Sequence, residues 1–116
     1  MMLELGLTSL WHWNQRPDRT PTSLSIGTWQ VARICTLLGL VESARRYGQL
    51  SLEAARSEGV LPFYLGYAYE GLARAEAKAG NREKVQEYLD LALQAAGKVT
   101  EAEAKKQLLA DLETIA

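Results

Sequence analysis

The sequence predicts an all-α fold of antiparallel helical hairpins, on three observations. Ala, Leu, Glu, Arg and Gln are abundant while β-branched residues are sparse, the balance that helices favour. No alternating apolar run of four or more residues asks for a strand. Proline and glycine cut the chain into helix-length pieces joined by short linkers, and linkers of that length turn neighbouring helices antiparallel.

The elements follow in order. A helix over about residues 3–13 stops before Asn14-Gln15-Arg16-Pro17-Asp18, where Pro17 disfavours helix at Arg16. Thr20 caps the next, with Pro21 at its first position; it runs to about Leu38, and Gly39 ends it with a permissive backbone. A third covers about residues 41–57 and closes near Gly59. Pro62 opens the fourth, which lasts to Ala79 and is closed by Gly80. Asn81 caps the fifth, which lasts to about Ala96 and is closed by Gly97. Thr100 and Glu103 form a capping box for a sixth, reaching about Thr114. Residues 1–116 thus make a single domain of two hairpin units, about 21–57 and 62–97, with end helices at about 3–13 and 101–114.

Composition excludes several classes of function. At 116 residues one core can form, and 47% hydrophobic against 23% charged residues argues against disorder. Thirteen Lys and Arg against fourteen Asp and Glu give a net charge of -1, without the basic footprint that nucleic acid or an anionic membrane surface requires. A single cysteine cannot make an intramolecular disulfide, and with a single histidine it makes a His/Cys metal site improbable; no metal or other cofactor is expected. The longest apolar stretch, residues 34–41, falls far short of the ~20 residues of a spanning helix. Residues 1–10 carry Glu4 and no Lys or Arg, unlike a secretory leader. The expected location is the cytoplasm, where a lone reduced thiol fits.

The most informative feature is internal. Residues 29–55 laid on residues 70–96, a shift of 41, coincide at nine of 27 positions: Ala32/Ala73, Arg33/Arg74, Gly39/Gly80, Glu42/Glu83, Tyr47/Tyr88, Leu50/Leu91, Leu52/Leu93, Ala54/Ala95 and Ala55/Ala96. A two-helix unit copied at this period is the signature of an α-solenoid, in which neighbouring units stack to bury faces that neither buries alone. Around the second turn, Tyr69, Leu72, Ala73, Gly80, Val85, Leu89 and Ala92 resemble a tetratricopeptide repeat (TPR); the first unit offers Thr28, Val31, Ala32, Ala44, Gly48 and Ser51 at the matching slots, a poorer match. The resemblance covers residues 21–97, and the excess over the family's period of about 34 lies around residues 57–63. It implies a short TPR-like α-solenoid of stacked hairpins with a capping helix at each end.

In that family the first helices of the hairpins line a concave groove that holds peptides. Carried over, the resemblance places Ile26, Trp29, Arg33 and Thr36 of the first unit and Tyr67, Glu70, Arg74 and Lys78 of the second in such a groove. The spacing agrees in part: Tyr67, Glu70, Arg74 and Lys78 follow steps of three, four and four and share one stripe, distinct from Leu65, Leu72 and Ala79, which should face the core. Two guanidiniums beside Trp29 and Tyr67 suit a carboxylate or an acidic peptide. The bland reading of the same stripe is a solvated face on which Glu70 and Arg74 pair.

The other candidates carry less. Trp11 and Trp13 flank His12, yet on a helix the two rings point about 200° apart and form no single platform. Cys35 lies in an apolar run and reads as a buried, inert thiol. Glu70 and Glu76 are six apart and diverge. Phe63, Tyr64, Tyr67 and Tyr69 crowd one helix start, so some of these rings should meet a partner. With no catalytic constellation, the expectation is a non-enzymatic interaction module for a protein or peptide of acidic character. Two units are fewer than the about three that stabilise a solenoid, so a homodimer is expected, with Trp11, Trp13, Leu108, Leu109 and Leu112 at its surface. The alternative is a helical-bundle small-molecule binder or enzyme with a pocket near His12, Trp29 and Tyr67.

Overall fold

The computed structural model describes residues 20–115. The expected helix at about residues 3–13, and with it Trp11, His12 and Trp13, lies outside the described residues. Within them the chain forms five helices and no strand: α1 (Pro21–Leu37), α2 (Val41–Ala55), α3 (Pro62–Ala79), α4 (Arg82–Ala96) and α5 (Ala102–Glu113). No helix among the described residues is long and apolar enough to cross a membrane.

The helix ends show why the boundaries are where they are. Thr20 Oγ1 accepts from the Ser23 N–H at 3.1 Å, and Ser23 Oγ accepts from the Thr20 N–H at 3.0 Å, a reciprocal cap ahead of Pro21. Gly39 and Gly80 take left-handed φ of 77° and 79°. At each, the glycine N–H bonds the carbonyl three residues back (Thr36, Ala77) and the next N–H bonds the one five back (Cys35, Glu76). These are the same C-terminal motif 41 residues apart, as the repeat requires. Asn81 caps α4 through Lys84 N–H at 3.4 Å. At α5 the cap differs from the expected Thr100. The Glu101 carboxylate accepts from the Glu103 and Ala104 N–H groups at 3.1 and 2.6 Å. An acid there satisfies two orphan donors and opposes the positive end of the helix dipole.

Small side chains let the helices approach. α1 packs on α2 and α3, α2 and α4 each pack on α3, and α5 packs on α3 and α4; α3 therefore touches every other helix. One cluster joins Val31 and Cys35 of α1 to Ala44 of α2 and Ala75 of α3; the larger one brings Leu52, Leu72, Tyr69, Ala92 and Ala96 against Leu108, Leu112 and Ile115. Burial of Cys35 raises its thiol pKa, so it stays protonated and unreactive.

Two sequence expectations are corrected by this packing. Leu108 and Leu112, expected on a dimer surface, are 0% and 5% exposed, with Leu109 partly buried beside them; Gly66 of α3, lacking a side chain, lets Leu108 sit directly on the helix. Their apolar area is used within the chain. Ala79, placed on the core stripe, is the last residue of α3 and is exposed, while Leu72 on that stripe is 1% exposed and Leu65 partly buried.

Candidate functional site

α1 and α3 present polar-aromatic stripes to one side of the molecule, where a polar stripe of α5 joins them. Residues from the N-terminal halves of α1 and α3 share one concavity and residues from their C-terminal halves share another, so the two helices run in the same sense, with α5 alongside. Between the concavities stands Glu70. Its side chain is enclosed, 1% exposed, yet it carries a carboxylate with three partners. Trp29 Nε1 donates to Oε1 at 3.1 Å, and the indole fits because Gly71 has no side chain to hold it off. Arg74 Nε lies 3.1 Å from Oε2, an ion pair whose angle is too oblique for a hydrogen bond. Arg33 Nη1 reaches the same oxygen at 4.0 Å. The i, i+4 pair of Glu70 and Arg74 thus exists, but in a buried layer rather than on a solvated face. Arg74 is tied further: its Nη2 donates to the Asp111 carbonyl at 3.1 Å and to Thr114 Oγ1 at 2.8 Å.

Toward the helix C-termini, Arg33, Thr36, Leu37, Arg74, Lys78 and Thr114 line a groove of about 320 Å³. Three of its lining residues are cations and none is an acid. Arg33 and Lys78 are exposed, whereas the Arg74 side chain is only 22% exposed. Four of the expected groove residues therefore meet here: Arg33, Thr36, Arg74 and Lys78. Trp29 and Tyr67 do not; with Ile26 they line the second concavity, a cavity of about 270 Å³ completed by Phe63, Tyr64, Ser25, Ser51, Gln107 and Asp111. Ser25 and Ser51 clamp α1 to α2 beside it, each hydroxyl donating to the other's carbonyl at 3.0 and 2.8 Å. Tyr67 donates its hydroxyl to Asp111 and accepts from Gln107. Burial, then the Asp111 bond, pushes the Tyr67 pKa up to about 12. The fourth ring of the crowded helix start, Tyr69, is buried and stacks on Tyr88 at 6.3 Å.

The α5 contributions, Gln107, Asp111 and Thr114, are absent from the sequence reading. Their steps of four and three put them on one polar stripe, one residue ahead of Leu108, Leu112 and Ile115 and so flanking the apolar stripe, which is the signal that would find them.

Glu76 diverges from Glu70, as its spacing requires, and serves a different junction. Arg45 of α2 grips it with two bonds of 2.8 Å while also bonding Glu42. The Arg45 guanidinium holds the Glu76 carboxyl below its ordinary pKa of 4.5. A carboxylate whose folded pKa is lowered stabilises in full above the unfolded value and loses that contribution as pH falls through the folded one. Thermal unfolding by circular dichroism at stepped pH should therefore hold a plateau above about pH 4.5 and decline below it. In Arg45→Gln the buried Glu76 lacks its cation and its carboxyl is no longer held low, so the variant should be less stable than the native chain above about pH 4.5 and the gap should narrow as pH falls; a gap that stays constant with pH refutes the assignment.

Among the described residues no three His, Cys, Asp or Glu side chains converge as a metal site would require. No protein-family model, curated protein or solved structure matches the chain.

Proposed function

We propose that the chain is a short TPR-like solenoid acting as a non-enzymatic protein–protein interaction module, and that it holds an acidic segment of its partner along the C-terminal halves of α1 and α3. One observation carries the reading: Arg33, Arg74 and Lys78 line a single groove that contains no acid. A guanidinium offers paired donors to a carboxylate, and an exposed Arg33 and Lys78 give a reach that a fixed Arg74 alone lacks. The solenoid reading is supported by the order of contacts and by the registers. α1 begins at Pro21 and α3 at Pro62, their glycine ends repeat the same bonds, and α5 begins at Ala102, where a third first helix would stand.

Binding of a fluorescent ten-residue Asp/Glu peptide, followed by anisotropy, tests the groove. The native chain should bind it with an affinity that weakens steeply with salt. Arg33→Gln with Lys78→Glu should weaken it at least about tenfold, since one change removes an attraction and the other replaces an attraction by a repulsion, while no new carboxylate is set beside the enclosed Glu70. Both side chains are exposed, so circular dichroism should be unchanged. Arg74 is unsuitable for this test because its bonds to Asp111 and Thr114 make it structural. An acidic peptide that binds the double variant as well as the native chain, or binds neither, overturns the reading.

A further inference from the structure

The cavity at the other end of the same face has the opposite polarity. Its lining includes four aromatic rings and one carboxylate, Asp111, and no Lys or Arg. Among the described residues no Lys or Arg forms an ion pair with the Asp111 carboxylate. The rings do not stack into a slab. Trp29 and Tyr67 meet at 79° with centroids 5.6 Å apart, Phe63 and Tyr64 at 87°, and Phe63 and Tyr67 at 65°. Near-perpendicular rings make walls that face in different directions, as a box requires. Two of these rings are also electronically primed. Trp29 gives its N–H to the Glu70 carboxylate and Tyr67 gives its O–H to Asp111. Donation to an anion leaves more electron density on the ring, and it is the negative ring face that attracts a cation.

We propose that this cavity binds the head group of a small organic cation, a methylated ammonium. A bare ammonium would bring N–H donors that aromatic walls cannot satisfy, whereas N-methyl groups lose little on leaving water and keep the charge. A volume of about 270 Å³ has room for such a head group. Asp111 supplies the counter-charge. The inference stands apart from the acidic-segment reading, because no residue of the cationic groove lines this cavity.

Choline and its neutral isostere 3,3-dimethylbutan-1-ol separate charge from shape. By calorimetry and by amide and indole chemical-shift changes, choline should bind the full chain about tenfold tighter than the isostere, with shifts at Ile26, Trp29 and Tyr67. Asp111→Asn keeps an acceptor for the Tyr67 hydroxyl and removes the charge; it should weaken choline about tenfold and leave the isostere unchanged. Tyr64→Leu, which breaks no hydrogen bond within the described residues, should weaken choline severalfold and checks the aromatic wall should Asp111→Asn fail to fold. A trimethyllysine peptide that binds tighter than choline identifies a side-chain head group as the source; choline binding as well as the peptide or better identifies a free cation. Equal binding of choline and the isostere, or no shift at Ile26 and Trp29 with choline in excess, overturns the proposal.

Discussion

Glu70→Ala is expected to lower the unfolding free energy by about 3–5 kcal/mol, the range for breaking a buried ion pair on one side. In a domain of this size that is a fall in Tm of about 12–20 °C. The truncation leaves the indole N–H of Trp29 without its acceptor and removes the carboxylate 3.1 Å from a buried Arg74 Nε, while opening a void between α1 and α3. Glu70→Gln separates the components. It keeps an acceptor for Trp29 and loses only the charge, so it should fall between Glu70→Ala and the native chain. Replacing both partners by apolar residues, Glu70→Leu with Arg74→Met, should recover only the part of the loss that comes from the orphaned charge, because the Trp29 N–H still lacks its acceptor and the Arg74 bonds to Asp111 and Thr114 are gone. Urea unfolding monitored at 222 nm measures all three. A Glu70→Ala variant within about 1 kcal/mol of the native chain would show that the layer is dispensable.

The parts legible in the sequence are those set by local backbone sterics. Pro21 and Pro62 fix the starts of α1 and α3, and Gly39 and Gly80 supply the left-handed turns that a branched side chain resists, so the bends fall at the expected places. The choice between Thr100 and Glu101 as a cap was not legible, because both can accept from orphan N–H groups and the docking of α5 decides which one starts the helix. The apolar stripe of α5 was visible, but a stripe does not say whether its cover comes from the same chain; Gly66, forty-two positions before Leu108, supplies the seat. For the site, helical spacing identified Glu70, Arg74 and Lys78 as one stripe. It could not foresee that Glu70 is buried, since Trp29 of another helix shuts it in. Nor could it foresee two concavities of opposite polarity where one groove was expected, because that division depends on Asp111 and Thr114 arriving from α5.

Gly48→Leu is the second substitution with a large expected effect, a loss of about 3 kcal/mol or more. Gly48 and Leu89 are equivalent in the repeat, so the change merely copies the second unit into the first. The copy does not fit. A Cβ on Gly48 would lie 2.7 Å from Leu72 Cδ2 and 3.1 Å from its Cγ, and Leu72 is 1% exposed within the close-packed core. Even Gly48→Ala should destabilise: the gain of about 0.5–1 kcal/mol from helix propensity is outweighed by that overlap. The two units have thus diverged in a complementary way, the first hollowed at Gly48 and the facing helix filled at Leu72. If so, the two sites are coupled. Leu72→Ala alone should cost about 3 kcal/mol as a cavity, yet Gly48→Leu with Leu72→Ala should lose less than the sum of the single changes, the new leucine refilling the space. A double-mutant cycle by chemical denaturation reads the coupling directly; strict additivity, or a stabilising Gly48→Ala, would mean that Leu72 does not depend on the missing side chain at Gly48 for its seat.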